Sequence, residues 1–187
     1  MSGRLVLVGG GARSGKSAYA VGRAMASGTS RAYVATAQAF DDEMRERIAR
    51  HRLERQGLFE TFEAPTELTA LLSTLEHDVV VVDCLTLWVS NLLLEDRSDS
   101  EIHHRLSRLI DIAARRTGLT LLVTNEVGLG IVPDNALARR FRDLAGFAHQ
   151  SIAASAHEVI LTAFGLPVRL KPSPVEVLSL PQSGEHP

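Results

Sequence analysis

The sequence predicts an α/β fold in which a mostly parallel sheet is covered by helices. Short apolar runs alternate along the chain with stretches of helical periodicity. One apolar run, VVVV at residues 79–82, has the unbroken β-branched composition of a strand covered on both faces. Strands that alternate with helices favour parallel pairing, because each helix carries the chain back to the start of the sheet.

The amino-terminal half alternates strands with helices up to the valine run. Acidic residues in the first turn of the helix at 41–57 suit the positive end of the helix dipole, and Gly57 ends that helix. Residues 59–63 alternate between apolar and polar side chains, as a half-buried strand does. The predicted strands are 5–8, 31–37, 59–63 and 77–83. A first helix is predicted to begin at Ser17, and two further helices to cover 41–57 and 67–76.

The carboxyl-terminal half continues the alternation and is expected to close with a hairpin. Its predicted helices are 85–94, 101–116 and 135–155, and its predicted strands are 119–125, 157–164 and 168–170. The last two strands form an antiparallel pair across Gly165, Leu166 and Pro167. We expect one domain over residues 1–171, followed by an extended or disordered tail over 172–187, because that tail is rich in proline and has no periodicity.

Composition and charge exclude several classes of protein. The 187 residues carry a net charge of −2 with acidic and basic groups interleaved, which argues against a nucleic-acid-binding surface. Cys84 is the one cysteine, so neither an intrachain disulfide nor a multi-cysteine metal cluster is expected. It is expected to pack in the core rather than act as a nucleophile. No apolar stretch reaches the ~20 residues of a membrane span, and we expect a cytoplasmic protein.

A phosphate-binding motif follows the first strand. Gly10, Gly15, Lys16 and Ser17 fit the pattern G-x-x-x-x-G-K-[ST], and they lie between a strand and a helix as that motif requires. Such a loop turns backbone N–H groups toward an anion, while the lysine reaches the β- and γ-phosphates and the serine binds Mg²⁺. The alternative is a glycine turn that only joins a strand to a helix. The motif favours a P-loop NTPase-like fold.

Two further positions are candidates for chemistry. Asp83 ends the valine strand, where phosphate-loop proteins place a carboxylate that holds Mg²⁺, although an acid there can also mark the chain's exit into solvent. His51 shares a helix face with Met44 and Ile48 and is expected to face the protein. Position alone leaves it open whether this histidine is catalytic or merely packed.

The segment EVGLGIVP at residues 126–133 follows a predicted parallel strand and therefore lies at the same edge of the sheet as the loop. Its glycines and proline permit close approach of a bulky substrate, but a structural turn would use the same residues. Arg139, Arg140 and Arg142 begin the next helix, where they could neutralise phosphate charge or face solvent.

Four motifs together identify a resemblance. GGARSGKS at 10–17, YVATA at 33–37, DDEMRERIARHR at 41–52 and TNEVGLGIVP at 124–133 resemble the bifunctional adenosylcobinamide kinase and adenosylcobinamide-phosphate guanylyltransferase family. The similarity runs from about residue 5 to 171. It implies that ATP or GTP phosphorylates the aminopropanol hydroxyl of adenosylcobinamide. GTP then passes GMP to a histidine, and the phosphorylated corrinoid takes that GMP to give adenosylcobinamide-GDP.

The resemblance also implies site residues and an assembly. His51 resembles the guanylylated histidine, and Lys16 serves catalysis. Family members are oligomeric, commonly trimers, and the apolar helix at 85–94 could supply an interface or belong to the core. The nucleotide contacts implied by the family are Gly10, Gly11, Ala12, Arg13, Ser14, Gly15, Lys16, Ser17, Ala35, Thr36, Ala37, Arg52, Leu53, Glu54, Arg55, Glu63 and Asp83, with Mg²⁺ held by Ser17 and Asp83.

Two other functions are compatible with the phosphate loop. The first is a kinase of another small alcohol, with His51 merely packed. The second is a nucleotide-dependent switch, although the sequence has no N-K-x-D motif for base recognition.

Overall fold

A computed structural model describes residues 3–39, 42, 45, 46, 49, 52, 53, 55 and 57–177. The strands are β1 (Arg4–Gly10), β2 (Arg31–Ala35), β3 (Glu60–Glu63), β4 (Val79–Asp83), β5 (Leu119–Asn125), β6 (Glu158–Ala163), β7 (Leu166–Lys171) and β8 (Glu176–Val177). The helices whose two ends both lie in the described part of the chain are α1 (Lys16–Met25), α2 (Leu68–Leu72), α3 (Leu85–Leu94), α4 (Asp99–Arg115) and α5 (Ala136–Ser155).

The strands form one eight-stranded sheet in the order β3-β2-β4-β5-β1-β6-β7-β8. Strands β1 to β6 are parallel, and β7 and β8 join the sheet antiparallel. The predicted α/β class with an antiparallel hairpin is confirmed. The parallel pairing of β6 with β1 leaves only β7 and β8 antiparallel, so β6 belongs to the main sheet.

Both faces of the sheet are covered, as the valine run predicts. All four valines of β4 are fully buried. Val80 and Val82 pack in the larger core layer with residues of α2 to α5, while Val79 and Val81 pack in the layer formed with α1. Successive side chains point to opposite faces, so an unbroken apolar strand serves both layers.

Capping residues account for the start of the two longest helices. Ser98 precedes α4 and accepts a hydrogen bond from the Glu101 amide at 3.3 Å, and Asp99 and Glu101 place negative charge in the first turn. Asn135 precedes α5 and accepts from the Ala138 amide at 2.7 Å. Both side chains satisfy helix N–H groups that have no partner within the helix.

Helix α3 belongs to the core. Leu85, Trp88 and Leu92 are at most 1% exposed, and the Trp88 indole donates to the Thr66 carbonyl at 2.9 Å. From the sequence, this helix could have supplied a subunit interface or belonged to the core. Its buried side chains show that it belongs to the core. Within the described part of the chain, no helix is long and apolar enough to cross a membrane.

The structure corrects the predicted hairpin turn. Phe164 and Gly165 form the turn, with φ of 54° and 81°, and Pro167 lies inside β7 rather than in the connection. β8 pairs with β7 only at Val168 and Arg169, so Pro167 lies where β7 is the outer strand. Prolines in sheets are confined to such outer positions, because a proline has no N–H to donate to a second neighbouring strand.

Other predicted bounds shift by a few residues. α2 ends at Leu72, four residues before the predicted end, and β4 begins at Val79. In the segment predicted as a helix at 41–57, the described residues Asp42, Arg45, Glu46, Ala49, Arg52 and Leu53 are helical. Residues 178–187 lie outside the described part, and the domain boundary at residue 171 stays a prediction.

Candidate active site at the carboxyl edge of the sheet

The glycine-rich loop joins β1 to α1 at this edge. Gly15 occupies the position before α1 with a left-handed φ of 99°, and Lys16 is the first helical residue. The loop is held by the β6–β7 hairpin: the hydroxyls of Ser14 and Thr162 lie 2.7 Å apart, and the Gly165 amide donates to the Ser14 carbonyl at 3.2 Å. The exposed backbone of Gly11, Ala12 and Arg13 forms the crest of the loop.

Lys16 is buried beneath this crest. Its Nζ donates to the Gly11 carbonyl at 2.5 Å, and the side chain is only 7% exposed. Burial lowers the pKa of Lys16, and the nearby Asp83 carboxylate partly opposes that shift. The amine is therefore held against the loop, ready to exchange one carbonyl contact for an anion.

Asp83, the residue predicted from its place at the end of the valine strand, is in contact with the start of α1. Its Oδ2 accepts hydrogen bonds from Ser17 Oγ at 2.7 Å and from the Tyr33 hydroxyl at 2.6 Å. Ser17 and Asp83 are both oxygen donors, the type that Mg²⁺ prefers, and the structure brings them together. The donor set therefore fits the predicted magnesium site.

Tyr33 was not singled out from the sequence, yet it lies between two parts of the site. Its ring is buried under the Arg55 guanidinium, whose Cζ is 3.7 Å from the ring centroid, and packs edge-on against Phe59. Burial and the adjacent Asp83 raise the pKa of Tyr33 well above its usual value, so the hydroxyl remains a donor. Tyr33 thereby links Arg55 to the Asp83 carboxylate.

Thr36 has an internal role. Its hydroxyl donates to the Cys84 carbonyl at 2.7 Å and accepts from the Cys84 amide at 2.8 Å. Its carbonyl accepts from Asn91 Nδ2 at 2.8 Å. Thr36 joins the end of β2 to the start of α3, and the nucleotide contacts predicted for it and for the half-buried Ala35 and Ala37 stay predictions.

Cys84 is a packed residue of the core. Its thiol is 4% exposed and lies 3.1 Å from the Thr86 hydroxyl. Burial and the neighbouring Asp83 raise the pKa of this thiol, which disfavours the thiolate that a nucleophile requires.

A second group of predicted contacts lies at the far end of the edge. Arg52 Nη1 is 3.9 Å from Glu63 Oε1, and both side chains are exposed. A cavity of about 590 Å³ adjoins them, lined by Ala49, Arg52, Leu53, Gly57, Phe59 and Thr61. The strand order places β3 four positions from β1, or roughly 19 Å at the ~4.8 Å spacing of strands. The structure does not bring Glu63 next to the loop.

His51 and Glu54 lie outside the described residues. Their predicted roles, guanylylated nucleophile and nucleotide contact, stay predictions.

Glu126, from the segment considered for substrate contact, and His149, to which the sequence assigned no role, meet beside the loop. The Glu126 amide donates to the Gly10 carbonyl at 2.8 Å. His149 of α5 places Nε2 at 2.7 Å from Thr124 Oγ1 and Nδ1 at 3.8 Å from Glu126 Oε2. One sequence signal pointed to His149: it is three or four residues from the buried positions Ala145 and Ile152, on the face that packs on the sheet.

The three arginines at the start of α5 have partners within the protein. Arg139 donates to the carbonyls of Pro133 and Asp134, and Arg140 pairs with Asp99 at 2.7 Å. Arg142 pairs with its neighbour Asp143 at 2.9 Å. The Arg139 contacts tie the segment before α5 to the helix, a role that was not considered for this arginine.

Comparison with solved structures agrees with the fold. The RadB recombinase superposes with a TM-score of 0.51 at 21% identity, over 90% of this chain and 80% of that one. An ATPase of a type III secretion system superposes with a TM-score of 0.54 at 10% identity, over 86% of this chain and 52% of that one. At these identities the likeness shows the fold alone.

Comparison with sequences is more specific. The family model described as cobinamide kinase / cobinamide phosphate guanyltransferase matches residues 6–170. The bifunctional adenosylcobalamin biosynthesis protein CobP of Pseudomonas aeruginosa is 44% identical over 172 residues, 90% of this chain and 98% of that protein. The corresponding protein CobU of Escherichia coli is 40% identical over 182 residues, 89% of this chain and 99% of that protein. The chain belongs to the cobinamide kinase / cobinamide phosphate guanyltransferase family.

Proposed function

We propose that this chain phosphorylates the aminopropanol hydroxyl of adenosylcobinamide with ATP or GTP and then transfers GMP from GTP to the product, giving adenosylcobinamide-GDP. The family match over residues 6–170 is the observation that carries this proposal. The loop geometry supports it, because Lys16 and Ser17 open a helix directly behind a turn of exposed backbone.

In the kinase step the protein aligns the reactants and neutralises charge. The loop amides and the Lys16 amine bind the β- and γ-phosphates, and the helix dipole of α1 adds positive potential. Ser17 and Asp83 would hold Mg²⁺, which supplies a Lewis acid that offsets charge on the phosphate oxygens. Asp83 is kept in place by the Tyr33 hydroxyl at 2.6 Å.

In the second step His51 acts as a nucleophile toward the α-phosphorus of GTP. A nitrogen–phosphorus bond forms as pyrophosphate leaves, and a phosphate oxygen of the corrinoid later displaces the histidine. A neutral imidazole suits this role, since its unperturbed pKa of about 6.5 leaves it mostly unprotonated at pH 7. Arg52, Leu53, Glu54, Arg55 and Glu63 would contact this nucleotide, and the cavity of about 590 Å³ beside Arg52 and Leu53 is large enough for such a ligand.

The corrinoid would lie over the segment at 126–133. Leu129, Ile131 and Val132 are 90%, 98% and 62% exposed, although all three are large apolar side chains. Consecutive exposed apolar residues beside a polar site are typical of a binding surface. The apolar faces of the corrin ring would cover them.

The working protein would be a cytoplasmic homo-oligomer, a trimer by resemblance to its family. Phe147 and Leu137 on α5 are 46% and 52% exposed, which gives such an assembly apolar surface to bury.

Substitution of the nucleophile tests the two-step route. His51→Ala should still phosphorylate adenosylcobinamide but should form no covalent adduct with GTP labelled on its α-phosphate. The reason is that only the second step requires the imidazole. The measurement combines corrinoid phosphate yield with acid-labile, base-stable label on the protein.

His104→Ala is the matched control, because His104 is an exposed histidine on α4 outside the site. It should retain both activities. If a folded His51→Ala protein lost both activities equally, the histidine would have a role other than that of the guanylylated nucleophile. If the wild-type protein took up no label from GTP, the protein would be a kinase without a covalent step.

A further inference from the structure

Glu126 follows β5, the strand that lies directly beside β1 and its phosphate loop. It follows Asn125, the register partner of Gly10, and its amide donates to the Gly10 carbonyl at 2.8 Å. In the strand order, Glu126 is one strand from the loop, Asp83 is two strands away and Glu63 is four.

The other two carboxylates at this edge are already engaged. Oδ2 of Asp83 accepts two hydrogen bonds, from Ser17 and Tyr33, and this carboxylate belongs to the proposed magnesium site. Glu63 is 65% exposed and faces Arg52. Asp83 is committed to the magnesium site, and Glu63 lies four strands from β1, too far from the γ-phosphate to accept a proton from the alcohol.

Among the described residues, Oε2 of Glu126 has no hydrogen-bond partner. The neighbouring His149 does not neutralise the charge of the carboxylate. Oε1 accepts from the Gly128 amide, whereas Oε2 has His149 Nδ1 at 3.8 Å, beyond hydrogen-bond distance. Burial lowers the pKa of His149, so its imidazole is neutral at pH 7. The side chain of Glu126 is 29% exposed, and the exposed apolar residues Leu129 and Ile131 follow it in the chain.

We propose that Glu126 is the general base of the kinase step, an inference that rests on the proposed function. The Glu126 carboxylate takes the hydroxyl proton of the corrinoid side chain as the hydroxyl oxygen bonds to the γ-phosphorus. The bond from that phosphorus to the β–γ bridging oxygen breaks, and the nucleoside diphosphate leaves with the electron pair. The Gly128 amide, which donates to Oε1, positions the carboxylate, and His149, fixed by Thr124, lies beside Oε2.

A structural role for Glu126 is separable from a catalytic one. Glu126→Gln keeps an oxygen that can accept from the Gly128 amide, so the turn at 126–128 is preserved, but an amide cannot take the proton. Glu76→Gln is the matched control, because Glu76 is exposed in the connection after α2 and lies away from the site.

The experiment measures kcat and KM for corrinoid phosphorylation, together with the covalent label from α-labelled GTP. Glu126→Gln should lower kcat by about 100-fold or more, the usual contribution of a general base, with KM changed by less than about threefold. The label should persist, because guanylylation of His51 removes no proton from the corrinoid hydroxyl. Glu76→Gln should match the wild type.

A Glu126→Gln protein with the wild-type kcat would overturn the inference and leave the proposed function intact. Parallel loss of phosphorylation and label would also overturn it, because it would indicate a structural residue. If the wild-type protein phosphorylated no adenosylcobinamide, the proposed function itself would be contradicted. The Glu76→Gln protein would then be inactive as well.

Discussion

His149 combines burial with a contact to the site. Its Nε2 lies 2.7 Å from Thr124 Oγ1, and Glu126 lies on its other side. Burial lowers the pKa of this histidine, while the Glu126 carboxylate opposes the shift. The folded state therefore binds a proton at His149 less readily than the unfolded state does.

This difference makes the folding stability depend on pH. As pH falls from 7 through the unfolded value near 6.5 and then through the lower folded value, the unfolded state takes up the proton first, so stability decreases. His149→Gln removes this contribution and should lose less unfolding free energy between pH 7.5 and 5.5 than the wild type. Urea denaturation at several pH values measures the difference, and equal slopes for the two proteins would contradict the direction assigned to His149.

Site residues that belong to a motif or to a strand end could be predicted from the sequence. Site residues whose role depends on contacts with distant parts of the chain could not. Lys16 and Ser17 follow from a spaced motif and Asp83 from its place at a strand end, and the structure brings all three together. Tyr33 and Glu126 gain their positions from neighbours 50 and 23 residues away, Asp83 and His149. No periodicity in the sequence indicates such pairs.

The shape of the phosphate loop is maintained by β6 and the turn that follows it. Ser14 is bound to Thr162 of β6, and Gly165 of the hairpin turn donates to the Ser14 carbonyl. A Cβ at Gly10 would lie 2.5 Å from Thr162 Oγ1 and 2.6 Å from Ser14 Oγ, and closer still to the Thr162 carbonyl. A Cβ at Gly11 would have no heavy atom within 4 Å.

These two glycines form a matched pair for the packing of the loop. Gly10→Ala should lower the unfolding free energy by about 1–3 kcal/mol, because the added methyl must displace the β6 backbone. Gly11→Ala should change it by less than about 1 kcal/mol. Urea denaturation of both variants compares them directly, and an equally small effect at Gly10 would mean that β6 does not confine the loop.

Element types were predictable, whereas their bounds depended on tertiary contacts. β5 and α3 match their predicted ranges, since each is a long apolar run with clear ends. The predicted turn at 165–167 was wrong because Leu166 and Pro167 belong to β7, where an outer strand accepts a proline. Pairing with a neighbouring strand, rather than local composition, decided that boundary.

At the scale of the whole molecule, strand order arranges the chemistry along one edge. The loop follows β1, Glu126 follows β5, Asp83 ends β4, and Glu63 ends β3. The alternation of strands and helices predicted a parallel sheet, but it carries no information on which strands become neighbours. The separation of Glu63 from the loop therefore could not be predicted from the sequence.

We propose that one phosphate loop supplies nucleotide to both half-reactions. Lys16 is its test residue, because its amine is held against the loop and is 2.5 Å from the Gly11 carbonyl. Lys16→Met keeps the buried aliphatic stem and removes the charge. A urea midpoint close to that of the wild type would show that the variant is folded.

The most direct measurement is therefore made on Lys16→Met with adenosylcobinamide and α-labelled GTP, following corrinoid phosphate and protein label together. We predict that both fall by about 100-fold or more, the usual effect of removing one charged contact to a transferring phosphate group. If either activity of a folded Lys16→Met protein persisted at the wild-type rate, the loop would serve only one of the two reactions.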